Sequence, residues 1–363
     1  MTEFIESFAT QQLLPPWEAR GAQSWCFAVR LSEDAVRNYL EKHFNGAYPD
    51  SAPYYFSPLP GPQFGLLTAC YFPSVASNNK TTQERLGLYV SWDHISHTEI
   101  YLAIPVLRQA LDKNNLIVGP ASVVWIQPFV CSDSPTVVFS SREIWGSDIA
   151  IAKIFRDLNA AADEFHLDTA ILGIKNYSPR SVNETLAFIH IRTHGQSLID
   201  IQTTINSDPD VAHLIYILSH SGLFVGQKQA SGSTDSPAGI ELNNLKQFRD
   251  AYDMDAAIYR AIIASRTSHT DVDSLKLYEA SKVEIAFMWS DSVAENLKSL
   301  FNVQGPNASG PPDGHERTCA PAGRDDVDWN MDRVVIKAEF AFSFTSNVNF
   351  EVIETIHTYG IFS

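Results

Sequence analysis

From Val334 to Phe350 apolar and polar side chains alternate: Ile336, Ala338, Phe340, Phe342 and Phe344 fall on one side, Lys337, Glu339, Ser343 and Thr345 on the other. Successive side chains of a pleated backbone leave opposite faces, so period two marks a strand; on a helix the same five apolar residues would scatter around the axis. A strand of this length needs partners, and shorter runs of similar character supply them. They are Trp25–Leu31, Gly65–Pro73, Arg85–Trp92, Ala121–Val130, Thr136–Ile144, Thr169–Tyr177, Glu184–Thr193 and Val283–Trp289. Polar turns separate them, Ser74–Glu84 and Ser132–Pro135 among them. The expectation is a mainly β (α+β) chain, largely antiparallel, with a few peripheral helices, in one domain spanning residues 1–363.

The exceptions are few. Residues 1–24 read as an irregular arm. Ser32 is placed to cap a helix over Ala35–Phe44, with Glu33 and Asp34 at its positive end. Five prolines between Asn45 and Pro62 predict a loop, and Asp157–Phe165 a short helix or connection. Asp210–Ser219 and Leu242–Ala264 carry helical periodicity around the low-complexity stretch Gln229–Gly239, and Gln304–Asp328 reads as a surface loop.

Composition narrows the function classes. A formal net charge of −16 with no basic run argues against a nucleic-acid partner. No apolar run reaches the roughly 18 residues needed to cross a bilayer, and the acidic start M-T-E-F-I-E lacks the basic region of a secretory leader. Cys26, Cys70, Cys131 and Cys319 show no paired spacing, which predicts free thiols in a reducing, cytoplasmic setting.

Two stretches hold the candidate chemistry. In Trp92–Glu99 ionisable residues are dense, and on a strand His97 and Glu99 share a face. With His190 or His194 from F-I-H-I-R-T-H they would make a facial metal triad, but strand histidines at a cleft mouth are more often hydrogen-bonded polar residues, so no metal is assigned. His315, Glu316 and Cys319 read as parts of an exposed loop rather than ligands. The second stretch, V-V-F-S-S-R-E-I-W-G-S-D-I-A-I-A-K from Val137 to Lys153, sets Arg142, Glu143, Trp145 and Gly146 between two apolar runs. Its plain explanation is an ion pair closing a strand end.

R-E-I-W-G also resembles the R-E-hydrophobic-aromatic-G signature of the acetoacetate decarboxylase family. Thr98–Val106 is similar to that family's second block, where a glutamate precedes an A-hydrophobic-P-V strand, and Trp25–Val36 to its first strand and following helix. The resemblance covers residues 20–155. It implies a curved, cone-like double β-sheet around a buried pocket, usually in homo-oligomers. It also implies two lysines after the signature, the first forming a Schiff base with the substrate ketone and the second lowering its pKa. Here Ser147, Asp148, Ile149 and Ala150 stand there instead, and Lys153 lies four residues past the Schiff-base position. The family's active-site arginine falls on Ala22, with Arg20 two residues away, so Glu99 is the one catalytic position retained.

These residues predict an enzyme of specialised metabolism that handles a fairly hydrophobic carbonyl compound by Schiff-base-independent acid–base chemistry: elimination, isomerisation, retro-aldol or cyclisation. Glu99, Arg142 and Asp148 are the expected catalytic residues, Arg142 as a bidentate carboxylate or oxyanion holder. Arg20, His97, Glu143, Trp145 and His190 are expected around the substrate, and Trp25, Phe27, Trp145 and the Phe340 strand as an apolar lining. No cofactor is called for. The alternatives are a true β-keto acid decarboxylase using a displaced lysine such as Lys153, and a non-catalytic small-molecule binding protein.

Overall fold

In the computed structural model, residues 14–46, 53–78, 95–156, 164–174, 178–193, 209, 212–213, 216, 239–249, 257–290, 299–301, 327 and 332–360 are described. Arg85–Trp92, His194, His315, Glu316, Cys319 and nearly all of Gln229–Gly239, Gln304–Asp328 and Asp157–Phe165 lie outside them. Of Asp210–Ser219, only residues 212, 213 and 216 are described, and they are helical.

The last strand, β13 (Asp332–Gly360), runs 29 residues and serves three neighbours. It pairs through Lys337 with β12 (Val283–Trp289), from Ala338 to Phe350 with β1 (Trp17–Arg30), and from Ala341 onward with β11 (Ala257–Tyr278). On the far side of β1 follow β3 (Phe64–Phe72), β5 (His97–Leu111) and β6 (Ile117–Ser132). A parallel contact from Trp125 to Leu242 then reaches β10 (Ile240–Arg249), which pairs with β11. Seven strands thus close a ring. A second path leaves β6 through a parallel pairing with β7 (Ile149–Arg156) and returns by β8 (His166–Gly173), β9 (Glu184–Thr193) and β12 to β13. Thirteen strands are found among the described residues, with β2 (Tyr54–Pro58) on β5 and β4 (Ser74–Ser77) on β1. The fold is mainly β, as expected, and mixed rather than wholly antiparallel.

The shared arc of β13, β1, β3, β5 and β6 is covered on both faces, which explains why β3 is almost continuously buried from Phe64 to Cys70. Cys26, Ala28, Leu66, Trp125, Phe340 and Phe342 pack inside the first ring. Phe27, Val29, Leu67, Ile100, Leu102 and Ile104 face the other way, against Ile189, Ile191, Ile285 and Phe287 of the second sheet. Helix α1 (Glu33–Leu40) adds Val36, Tyr39 and Leu40 to that core, with Ser32 accepting the Ala35 amide at 3.3 Å as the sequence predicts.

One bulge corrects the reading of β13. Val29 pairs with Ala338 and Ala28 with Phe340, so Glu339 is an extra residue. It reverses the alternation: Ile336 and Ala338 face the second core, whereas Phe340, Phe342 and Phe344 enter the first ring. They do not share one side.

Other expectations change too. Thr136–Ile144 is not a strand. Pro135–Ser140 forms helix α2 and Ser141–Trp145 a π-helical turn, because Pro135 suits the first helical turn and Ser134 caps it, accepting the Val137 amide at 3.4 Å; these signals outweigh the β-branched V-V. Leu242–Ala264 contains β10 and the start of β11 rather than helix, the pairing of these strands overriding a local periodicity. The proline-rich loop holds β2, with Pro53 and Pro58 bracketing it where no ladder donor is lost, and the arm's last residues already belong to β1.

Deleting Glu339 would turn Phe340, Phe342 and Phe344 out of the first ring, and the protein is expected not to fold. Glu339→Ala, which loses only a partly exposed 3.5 Å contact with Arg30, should cost no more than about 1 kcal/mol in urea unfolding.

Candidate active site

The first ring is not filled. Its interior holds an empty volume of about 1090 Å³, counting the open mouth, walled by alternate residues of β1, β3, β5, β6, β10, β11 and β13. Alternation on β5 delivers His97, Glu99, Tyr101 and Ala103 to this wall. The Glu99 side chain is 15% exposed and its carboxylate sits 3.3 Å from Nε2 of His97, whose side chain is 3% exposed and stacks on Phe72 with centroids 4.8 Å apart.

Neutral hydrogen-bonding groups surround the carboxylate. Cys70 lies opposite Glu99 on β3, with its Sγ 3.3 Å from Ser24 Oγ. Burial pushes the Cys26 thiol up to about 12, against a hydrogen bond with Thr68, and the Cys70 thiol higher still. The Tyr101 phenol is raised first by burial and then by neighbouring Cys70, Cys26 and Glu99, while a hydrogen bond with Thr68 opposes the shift. All three stay protonated near neutrality. On the opposite wall burial holds His269 neutral, lowering it to about 4; its Nδ1 lies 2.9 Å from Ser346 Oγ and its ring meets Phe344 edge-on at 5.3 Å.

The predicted residues divide sharply. Glu99, His97 and Trp145 line the cavity. The others do not, which corrects five expectations. Arg142 is exposed, and its Nε donates to the Ile149 carbonyl at 2.8 Å, fastening the π-turn to β7 rather than holding an oxyanion. Glu143 is also exposed; its backbone carbonyl accepts from Lys246 Nζ and its charge is felt by the same lysine. Asp148 lies at the surface of the other face, where its charge is felt by Tyr39 and Cys131 of the second core. Arg20 is 76% exposed and pairs with Glu18 at 2.9 Å. His190 belongs to β9 in the second sheet and is hydrogen-bonded to Asp168. Trp25 and Phe27 face the second core too, Trp25 stacking on Phe165 at 4.4 Å; the aromatic lining comes from Trp17, Trp125, Trp145, Phe344 and Phe350 instead. Lys153 is exposed on β7 opposite Ala170.

The R-E-I-W-G segment is therefore a positioning device. Gly146 adopts φ +67° at the end of the π-turn, and a Cβ there would stand 2.9 Å from the Lys246 backbone nitrogen. Only glycine lets β10 approach so closely, and the resulting geometry sets Trp145 in the wall, edge-on to Trp17 with centroids 5.1 Å apart. Tyr101 was within reach of the sequence, since it follows Glu99 by one strand period. Cys70, Trp125 and His269 required the register of β3, β6 and β11.

Among the described residues no three of His, Cys, Asp and Glu gather as metal ligands, and no helix is long and apolar enough to cross a membrane.

No protein-family model matches the sequence, and no curated protein is similar to it. Among solved structures the chain is similar to acetoacetate decarboxylase from Legionella pneumophila, at 9% identity and a TM-score of 0.48 over 97% of this chain and 92% of that one. It is also similar to the enduracididine biosynthesis enzyme MppR bound to the condensation product of pyruvate and imidazole 4-carboxaldehyde, at 10% identity and a TM-score of 0.45 over 96% and 93%. These are likenesses of general shape.

Two outcomes follow from the geometry. Gly146→Ala should destabilise the protein by about 2 kcal/mol or more in chemical denaturation, through positive φ and the backbone clash, and should alter the Trp145 fluorescence. For His269 the unfolded chain takes up its proton near 6.5 and the folded chain only near 4, so between these values acid favours unfolding. Stability should fall by up to about 3 kcal/mol as pH drops through that window, and His269→Gln should flatten the slope.

Proposed function

We propose that this protein is an enzyme that acts on a fairly hydrophobic carbonyl compound by acid–base chemistry without an imine, in the lyase or isomerase class. The observation that carries the reading is the position of Glu99: its carboxylate lines the cavity beside His97, whereas among the described residues no lysine lines it.

The chemistry follows from what stands around that carboxylate. Glu99 accepts the proton from the carbon next to the bound carbonyl; the C–H electron pair moves into the adjacent C–C bond and the carbonyl π pair onto oxygen, giving an enolate. The neutral Tyr101 hydroxyl donates a hydrogen bond to that oxygen as its charge grows. Protonated Glu99 then returns the proton to a different carbon, which is an isomerisation, or to a β-leaving group as it departs, which is an elimination. His97 acts through Glu99 by fixing its orientation. Thr68 donates to Cys26 at 3.7 Å and Ser24 meets Cys70 at 3.3 Å, so the wall is in place before the ligand arrives.

A decarboxylase working through Lys153 is disfavoured by that residue's place on the second sheet. A passive carrier would have no use for Glu99 as a base. Exchange of the α-hydrogens of 4-phenylbutan-2-one in D2O, followed by NMR, separates these readings. The wild-type protein should accelerate exchange, Glu99→Gln should lose about 100- to 10,000-fold, and Tyr101→Phe a substantial part. Borohydride added with the ketone should leave the protein mass unchanged. Exchange that survives in Glu99→Gln, or a reduced ketone adduct on a lysine, contradicts the proposal.

A further inference from the structure

We infer that the cavity selects uncharged carbonyl compounds and discriminates against carboxylates, an inference that rests on the reading of this cavity as the active site. The sequence points the other way, since a keto acid would need a cation to receive it and Arg20 and Arg142 stand ready for that part. The structure removes both. Arg142 is spent on the Ile149 carbonyl, and Arg20 lies at the surface beside Glu18.

Among the described residues of the wall there is no arginine and no lysine, while Glu99 contributes a carboxylate. A second carboxylate brought beside it would meet like charge in a partly desolvated space, with no lysine or arginine among the described wall residues to offset it. The histidines do not change this balance. His97 is already committed to Glu99 through Nε2, and burial against Ser346 and Phe344 keeps His269 neutral. The chain's net charge of −16 adds long-range repulsion of anions.

What the wall offers instead suits a neutral ligand. Trp125, Trp145, Phe344 and Phe350 provide apolar rings, and Gln127, Asn244 and Tyr101 provide neutral polar groups. The buried indole nitrogens of Trp125 and Trp145 have no hydrogen-bond partner among the described residues. Unmet buried donors are costly, and carbonyl oxygens of a ligand are the acceptors that would relieve them.

The test uses two molecules of one skeleton that differ in charge: 4-phenylbutan-2-one and 3-phenylpropanoate. Titration calorimetry on the full-length protein at pH 7.5 should show the ketone binding at least about tenfold more tightly than the acid. In Glu99→Gln the acid should gain affinity while the ketone changes little, so the gap narrows. Equal binding, tighter binding of the acid, binding of neither, or a gap that survives Glu99→Gln unchanged would each overturn the inference. Calorimetry is independent of turnover, so the two readings fail separately. Preference for the acid together with Glu99-dependent exchange removes the neutral-ligand inference alone; preference for the ketone without exchange removes the catalytic reading alone.

Discussion

The architecture depends on a single β-bulge. Without the extra residue at Glu339, Ile336 and Ala338 would lie on the same face of β13 as Phe340, Phe342 and Phe344, and these five could not be shared between the two cores. With it, the strand gives Ile336 and Ala338 to the second core and Phe340, Phe342 and Phe344 to the first ring. Over Cys26–Val29 the partner strand β1 shows the same double duty with no extra residue of its own, because Cys26 and Ala28 alternate with Phe27 and Val29 and both sets are apolar. The central stretches of the shared arc, such as Phe64–Cys70, are buried on two faces, and that requirement shapes their composition more than any local propensity.

This construction also decides where chemistry is possible. The second core is packed with Ile, Leu and Phe, and its rings meet edge to face, as in Phe188 against Phe287 at 6.0 Å. The first ring is packed by Phe340, Phe342 and Trp125, while at Ser24, Thr68 and Cys70 the side chains of its wall are short. Small polar residues on a wall otherwise made of large rings leave the space, and among the described residues of that wall Glu99 is the carboxylate.

Much of the fold was legible in the sequence because burial on alternate faces leaves a period that needs no tertiary knowledge. Strands β3, β9 and β12 and helix α1 with its Ser32 cap were read in that way. Segments whose conformation is set by neighbours were misread: α2, where V-V-F pointed to a strand and Ser134-Pro135 decided for a helix, and β10, whose L-N-N-L-K-Q has a helical look until β11 pairs with it. The site was half legible. Resemblance to a known motif led to Glu99 and Trp145, and strand parity to His97. The same resemblance misplaced Arg142, Glu143 and Asp148, since in this chain the motif secures a turn and only its tryptophan reaches the cavity. Which residues face Glu99 from across the ring depends on pairings between strands distant in sequence, and no local pattern encodes them.

The account turns on whether a carbonyl ligand meets a carboxyl group or an amine in the first ring. A crystal structure of the protein soaked with 4-phenylbutan-2-one answers this most directly. The account predicts unmodified ketone inside the ring, its α-carbon about 3.5 Å from a Glu99 carboxylate oxygen and its carbonyl oxygen toward the Tyr101 hydroxyl. Continuous density from the ketone carbon to a lysine Nζ, or a ketone seated elsewhere with the ring empty, would contradict it.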